Sequence, residues 1–551
     1  MTNKEIARLF NQLAGLMELH GDNPYKIRSY QNGYIQLRKL GTPLVDMTDA
    51  EIGEIKGIGK SLVGKIREII NTGSFEALSD YLAKTPVGIQ EMLKIKGFGA
   101  KKIKLIWKDL GAETLGELLY ACNENRLIAL KGFGYKTQLD LKKKIEYYLQ
   151  SRDKFHYGTL EPNALELLGR LQKKLPNATV ELTGAIRRRC TILNRIEIII
   201  GSDEAIDGVF DKKYAQLLEQ QENKYALKTS GDFPATIYHY SLAEFGSKQF
   251  LHTGSNAFLK GLVAAKPEVD FSNLATEIEV FEKAGLAYIE PELRENEAII
   301  PFAQTDTLPT LVEETDIKGV IHSHSTYSDG LHTLREMAEY TKSQGYEYIV
   351  ITDHSKSAFY ANGLKPDRVL EQMAEVDALN QELAPFKIYK GIESDILNDG
   401  SLDYDDEMLA KFDFIIASVH SNLKMTEEKA NDRLLGAIAN PHTTMLGHPT
   451  SRLLLSREGY PIDHKRIIDA CAENNVAIEL NANPYRLDID WTWIEYAMSK
   501  NVKISINPDA HSTDGIHDIR FGTLAARKGK LTKEMCFNSM GRVELDSYLS
   551  A

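Results

Sequence analysis

Gly319-Val320-Ile321-His322-Ser323-His324, and then Tyr348-Ile349-Val350-Ile351-Thr352-Asp353-His354, decide how the second half of this 551-residue chain folds. Each is an apolar run of strand length that ends in residues able to bind a metal. The pattern recurs: strands predicted at 319–322, 348–351, 387–392, 414–419, 444–446, 477–480 and 502–506 alternate with segments of helical apolar spacing. Parallel neighbours need a crossover, so seven strand–helix units predict a parallel barrel.

Working outward from those strand ends, the polar residues that follow are His322 and His324 with Asp329 close behind, Asp353 and His354, Glu393, His420, His448, and Asp509 with His511. The C-terminal strand ends of a βα barrel meet at one mouth, so residues distant in sequence become neighbours. His322 and His324, spaced i and i+2, are expected on one side of an extended chain. A single histidine after a strand is more often a satisfied core residue than a ligand; repetition at one structural position reverses that reading. Imidazole with carboxylate suits Zn²⁺, Mn²⁺ or Fe²⁺ better than Mg²⁺, and paired ions about 3.5–4 Å apart acidify a shared water. Phosphate-ester hydrolysis is the expected chemistry.

Composition sets the remainder. Apolar residues make up 43% and charged residues 26%, as in ordinary globular protein of several domains. The net charge of −12 is uneven: residues 1–150 carry 23 Lys and Arg against 17 Asp and Glu, a net +6, which leaves −18 behind them. A basic front suits DNA phosphate, and an acidic rear suits cations. Cys122, Cys190, Cys471 and Cys536 lie too far apart for a zinc knuckle or a disulfide framework. The start of the chain lacks signal-peptide order and no run of 18 apolar residues occurs, so a cytoplasmic monomer without membrane contact is expected.

Three Lys-Gly-apolar-Gly turns recur in the basic front: Lys56-Gly57-Ile58-Gly59, Lys96-Gly97-Phe98-Gly99 and Lys131-Gly132-Phe133-Gly134. Each is followed by a Lys-rich helical segment, the first two beginning near Lys60 and Lys101. These are read as helix-hairpin-helix units that present backbone N–H groups to DNA phosphates without regard to base sequence.

The series HxH, ITDHS, GIESDIL, SVHS, GHPTSR, IELNANPYRLD and NPDAHS resembles the polymerase and histidinol phosphatase (PHP) domain across residues 316–551. The resemblance implies a distorted (β/α)7 barrel with three metal ions, Mn²⁺ or Zn²⁺ with Fe²⁺ also suitable, held by His322, His324, Asp329, His354, Glu393, His420, His448, Asp509 and His511. Candidate catalytic roles are His448 or Asp509 orienting the nucleophile and Arg452 and Arg486 clamping phosphate, with surface salt bridges as the alternative for both arginines.

Upstream, Asn23-Pro24-Tyr25-Lys26-Ile27-Arg28-Ser29-Tyr30 and the first hairpin resemble the lyase domain of family-X DNA polymerases, with Lys65 at the place of its Schiff-base lysine. Residues 151–315 resemble that family's nucleotidyltransferase palm through Thr183-Gly184-Ala185-Ile186-Arg187-Arg188-Arg189 and Ile196 to Ile200. The departures are specific: Ala185 and Arg189 replace Ser and Gly, and the three carboxylate positions hold Arg195, Glu197 and Thr236. Arginine at a cation site repels the ion, so Mg²⁺ is not expected in this palm and synthesis is expected to be lost.

The expected fold is multidomain α+β and α/β. Its parts are a lyase-like helical domain (1–80), a fingers-like tandem hairpin domain (81–150), a degenerate palm (151–240), a thumb-like segment and linker (241–315), and the PHP barrel (316–551). The resemblance implies a DNA-repair protein acting on DNA ends, gaps, single strands or abasic sites by Mn²⁺-dependent 3′–5′ exonuclease or abasic-site cleavage. The alternatives are an active polymerase with a PHP exonuclease, a small-molecule phosphatase, and a DNA-end-binding scaffold without catalysis.

Overall fold

Thr2 opens the first helix, Asn3–His20, with a capping box to Glu5, and Gly21 closes it in the left-handed conformation at φ 76°. Ile6, Phe10, Leu13, Ala14 and Met17 form its buried stripe at helical spacing. Asn23 then caps Pro24–Leu37, with proline at the first helical position. Phe10 meets the rings of Tyr30 and Phe75 at 5.5 and 5.8 Å, tying the first two helices to the segment after the first hairpin. The computed structural model describes residues 1–550 apart from Lys96, Glu124, Asn125, Arg152, Asp207, Asp211 and Lys212.

The chain divides into two units, Met1–Arg152 and Asp153–Ala551. In the first, buried side chains from Ile6 to Ile145 make one continuous core. The division expected near residue 80 therefore separates no hydrophobic interior.

In the second unit, β1 (Phe155–His156) pairs with β3 (Ile192–Leu193) as a short ribbon. The palm sheet contains β2 (Thr179–Leu182), β4 (Ile196–Gly201), β5 (Ala215–Gln221), β6 (Lys224–Thr229) and β7 (Pro234–Tyr240), in the order β2-β4-β7-β6-β5. Strands β4 and β7 run parallel, and the other pairs are antiparallel. Helix Tyr157–Lys174 buries Leu160, Ala164, Leu167 and Leu171 against this sheet. Phe250, Phe258, Phe281 and Leu311 centre a separate thumb-region core.

Seven strands follow: β8 (Gly319–Ser323), β9 (Tyr348–Ile351), β10 (Lys387–Asp395), β11 (Phe414–Ser418), β12 (Met445–Leu446), β13 (Ala477–Asn481) and β14 (Ile504–Asn507). They pair in chain order, all parallel, and a bridge from Ser323 to Ala510 brings the two ends together, leaving a nearly closed barrel. The alternation of strand side chains explains both surfaces. Outward residues such as Ile349, Ile351, Ile388, Ile392, Ile478, Leu480, Ile504 and Ile506 pack beneath the surrounding helices. Inward residues at the N-terminal end are apolar (Tyr348, Tyr389, Phe414, Ile416, Ala477), and Phe537 and Leu545 join them. Further along the same inward faces the composition turns polar and remains buried: Glu393, Ser418, Glu479 and Asn507. The barrel is thus a packed apolar plug at one end and a buried polar chamber at the other.

Candidate functional site

The chamber collects all nine residues of the predicted ligand set into four overlapping groups. These are His324, Asp329, His354 and His511; His322, Glu393 and His448; His322, His324 and Asp509; and His354, Glu393 and His420, with one ligand atom of each residue within 4.8 Å of the others in its group. Glu393 is the hub. Its Oε1 lies 2.9 Å from His448 Nε2, 3.1 Å from His420 Nε2 and 3.2 Å from His322 Nε2, and its Oε2 lies 2.9 Å from His354 Nδ1. Asp509 Oδ1 stands 3.2 Å from His324 Nε2, and Asp329 Oδ1 stands 3.4 Å from His511 Nε2.

The i, i+2 expectation for His322 and His324 is corrected here. The register of β8 against β9 shifts between Val320 and Ser323, and His322 takes φ 66°, so a bulge rather than a regular extended strand turns both rings into the chamber, 5.3 Å apart. His448 and Asp509 also have positive φ, 23° and 51°. Such conformations cost on the order of 1–3 kcal/mol each and collect where side-chain aim matters more than local comfort.

Electrostatics call for cations. Burial alone would push His322 down, yet Glu479, Asp509 and Glu393 hold it well above the ordinary imidazole value. Glu393, despite burial, is pulled well below the carboxylate range by His420, His322 and His354, and Asp509 behaves likewise beside His322, His324 and His511. His420 rises to about 10 and His511 to about 9, in each case because carboxylates outweigh burial. His324 is pushed down to about 3 by burial and by His511 and His354. His322 Nε2, both ring nitrogens of His324, His448 Nδ1 and Glu393 Oε2 are buried without a well-aligned hydrogen bond, although carboxylates and imidazoles of the same chamber stand close by. Unsatisfied buried groups of this kind cost about 1–3 kcal/mol each, so the donor set fits divalent ions and is poorly served by protein alone.

A supporting layer behind the ligands was not singled out from the sequence. Glu479 Oε2 accepts from His322 Nδ1 at 2.5 Å and from Asn507 at 2.9 Å, while its Oε1 accepts from His448 N and Asn481 at 3.1 Å. Asp395 holds His420 Nδ1 at 2.5 Å. These carboxylates fix ring orientation and tautomer. The signal for Glu479 was available: in Ala477-Ile478-Glu479-Leu480-Asn481 the inward phase is polar. Asp353, grouped with the ligands by type, is instead a loop holder that accepts from Ser325, Ser328 and Gln372. Arg486 donates to Asp509 Oδ2 at 3.1 Å and so stands at the chamber. Arg452 is engaged elsewhere, with Asp490 and with the carbonyls of Arg486 and Leu487. It staples the Arg486 loop rather than facing the ligands.

In the first unit the three hairpins share one turn. Ile58, Phe98 and Phe133 donate to the carbonyls of Ile55, Ile95 and Leu130 at 2.9–3.0 Å, with Gly57, Gly97 and Gly132 at φ 86–89°. In the first and third this is a type II turn, whose third residue must have positive φ. Lys96 lies outside the described residues. The middle apolar residue of each is buried as an anchor. A Cβ on Gly57, Gly59, Gly99, Gly132 or Gly134 would meet nothing within 4 Å, so the first and third turns face open space, whereas one on Gly97 would fall 2.7 Å from Lys144 Nζ. The helices that follow carry no acid in the first turn, and Lys60 and Lys101 stand exposed there, leaving the N-terminal dipole for an external anion. Lys65 is half-buried on Lys60–Thr72 and makes no ion pair among the described residues.

Comparison with known proteins accords with this layout. A helix-hairpin-helix family model matches residues 1–75 and a PHP family model matches residues 321–483. The DNA polymerase/3′-5′ exonuclease PolX of Bacillus subtilis is 32% identical across 100% of this chain and 99% of its own length. The chain belongs to the PolX family. Two proteins called probable phosphatases, from Acetivibrio thermocellus and Thermoanaerobacter sp., are 27% and 23% identical; they cover 30% and 40% of this chain and 65% and 91% of their own lengths. The chain is accordingly a DNA-binding protein of the family-X repair type with a metal-dependent hydrolytic domain. Among the described residues no helix is long and apolar enough to cross a membrane.

The palm residues singled out from the sequence lie together on its sheet. Glu197 on β4 and Thr236 on β7 are direct cross-strand neighbours, and Arg195 immediately precedes β4. Glu197 turns onto the Gly184–Arg187 segment: its Oε2 accepts from Ala185 N at 3.3 Å, and Tyr238 donates to its Oε1 at 3.3 Å. Gly184, at φ 65°, admits this approach, since a Cβ there would fall 2.1 Å from Glu197 Oε2. Arg187 makes a bidentate pair with Glu277 at 2.8 Å, and Arg188 is held by Glu295 at 3.1 Å and by the Thr253 carbonyl at 2.7 Å. Among the described residues no palm side chain belongs to a metal-capable group.

Proposed function

We propose that this protein trims DNA from 3′ ends by hydrolysing phosphodiesters in the PHP barrel, and that its palm does not synthesise DNA. The observation that carries the reading is the contrast between two sites in one unit. In the barrel, nine side chains of ligand type converge, with ring nitrogens of His322, His324 and His448 buried and lacking an aligned hydrogen bond. In the palm, the one remaining carboxylate closes over the phosphate loop and the arginines are paired internally. The name of the Bacillus subtilis relative, a DNA polymerase/3′-5′ exonuclease, supports the nuclease half.

The residues divide the work as follows. His322, His324, Asp329, His354, Glu393, His420, His448, Asp509 and His511 hold Mn²⁺ or Zn²⁺, three ions in this reading. Bound ions of this type supply Lewis acidity and an acidified water at neutral pH. Arg486 binds the phosphate beside Asp509 and offsets the charge that develops on it. Glu479 and Asp395 keep His322 and His420 in one tautomer and orientation. The hairpin glycines with Lys60 and Lys101 hold the DNA backbone of ends, gaps, single strands or abasic sites, in a protein that acts as a monomer. Lys65 is the candidate for abasic-site chemistry.

End-labelled single-stranded, recessed and abasic DNA incubated with Mn²⁺ tests this. Wild type shortens the 3′ end and His322→Ala/His324→Ala does not. Binding without cleavage would favour a scaffold, and turnover of p-nitrophenyl phosphate alone a phosphatase. Primer extension by wild type would overturn the palm half.

A further inference from the structure

Arg457 has no part in the ligand set, and its surroundings are unusual for a half-buried guanidinium. Its Nε and Nη2 both donate to one carbonyl, that of Ser451, at 3.1 and 2.6 Å. Among the described residues no carboxylate lies within ion-pair distance of it. Its charged neighbours are Arg486, which repels it, and Asp488, whose two oxygens already accept from Thr450 at 3.0 Å. Burial and Arg486 together lower the Arg457 pKa.

The loops that carry the two arginines are nonetheless tied to one another. Leu454 N donates to the Tyr485 carbonyl at 2.8 Å, and Arg452 grips the carbonyls of Arg486 and Leu487. Leu453 and Arg457 bond each other's backbone at 2.8 and 2.9 Å, closing a small ribbon that carries Arg457. Two guanidiniums on tied loops, one of them with no ion pair of its own among the described residues, can together receive an anion. Arg486 donates to Asp509 and so serves the phosphate at the ligands, whereas Arg457 donates to the Ser451 carbonyl and bonds none of the nine residues.

We propose that Arg457 binds the phosphate next to the one being cleaved, so that Arg457 and Arg486 together recognise two consecutive phosphates of one DNA strand. The inference rests on the nuclease reading above and refines it: a monoester has one phosphate and no use for the outer cation.

Calorimetric titration of Mn²⁺-loaded full-length protein with thymidine 3′,5′-bisphosphate and thymidine 5′-monophosphate tests it without any turnover. Wild type should bind the bisphosphate about tenfold more tightly, the scale of one added charge-assisted contact. Arg457→Gln should bring that ratio close to one, and Arg457→Lys should keep most of it. Equal affinities in wild type, or a preference that survives in folded Arg457→Gln, overturns the assignment. If Arg457→Gln does not fold, the wild-type ratio still decides. A failure of DNA trimming would count against the nuclease reading, and a missing bisphosphate preference against Arg457 alone.

Discussion

Replacing Glu479 by glutamine keeps the shape of the side chain and changes what it can accept. The carboxylate receives four donors: His322 Nδ1 at 2.5 Å and Asn507 at 2.9 Å on one oxygen, His448 N and Asn481 at 3.1 Å on the other. A glutamine amide can satisfy only the pair facing its oxygen; the other pair meets an N–H₂ group. If the oxygen stays toward His322, the imidazole keeps a neutral hydrogen bond in place of a charge-assisted one, a loss of about 1–2 kcal/mol, and the backbone of His448 loses its acceptor. Both ligands then loosen, and metal affinity should fall about 10- to 100-fold, the usual range for a supporting residue. Metal content after dialysis, together with the Mn²⁺ concentration for half-maximal p-nitrophenyl phosphate hydrolysis, measures this. At saturating Mn²⁺ the rate should return to within a few-fold of wild type. Folded Glu479→Gln with an unchanged Mn²⁺ requirement would refute the supporting role of this carboxylate.

Metal affinity should rise with pH from neutrality to about pH 10, because His420 and His511, held up to about 10 and about 9, must release protons to bind metal; a flat profile in calorimetric Mn²⁺ titrations would contradict this. Arg452→Ala should lower kcat about tenfold or more by releasing the Arg486 loop, with metal content unchanged; a loss of bound metal would assign it a different role. Glu277, held at about 2 by Arg187 and Arg294 despite burial, contributes stability that is complete above its ordinary value near 4.5 and lost as pH falls toward 2. That is about 3 kcal/mol by linkage, and acid denaturation of Glu277→Gln should lack this pH-dependent component. Gly57→Ala places a side chain at φ 86°, which costs about 1–2 kcal/mol and should weaken DNA binding in gel-shift titrations while leaving p-nitrophenyl phosphate turnover intact.

The sequence made the barrel legible because its strands are short apolar runs with a polar residue at a fixed end, and seven such ends form a pattern that one would not. It made the hairpins legible because a type II turn demands glycine at one position and an apolar anchor at the next. What stayed hidden depends on side-chain direction rather than spacing. The bulge that turns His322 inward has no glycine or proline to announce it. Asp353 and Glu393 both follow apolar runs, yet Asp353 faces the Ser325–Ser328 loop and Glu393 faces the histidines. Arg452 and Arg457 lie five residues apart and look alike in sequence; only their partners, Asp490 for one and a single carbonyl for the other, separate a staple from a candidate anion ligand. The boundary expected near residue 80 was read from changes of motif, whereas the core running from Ile6 to Ile145 ignores motifs.

The seam between palm and barrel has an engineering meaning. His156 of the palm reaches the Leu454 carbonyl at 2.9 Å and lays its ring 4.7 Å from Tyr485, so it leans on both loops that carry the arginines. Gly158 comes so close to Pro484 and Phe521 that a Cβ would fall 2.9 Å from the proline, and Glu161 is clamped by Arg520. A palm mounted in this way serves as the foundation of the machine beside it, whatever its own chemistry. Cutting the gene at residue 316 to obtain a minimal nuclease would remove the wall against which those loops are braced.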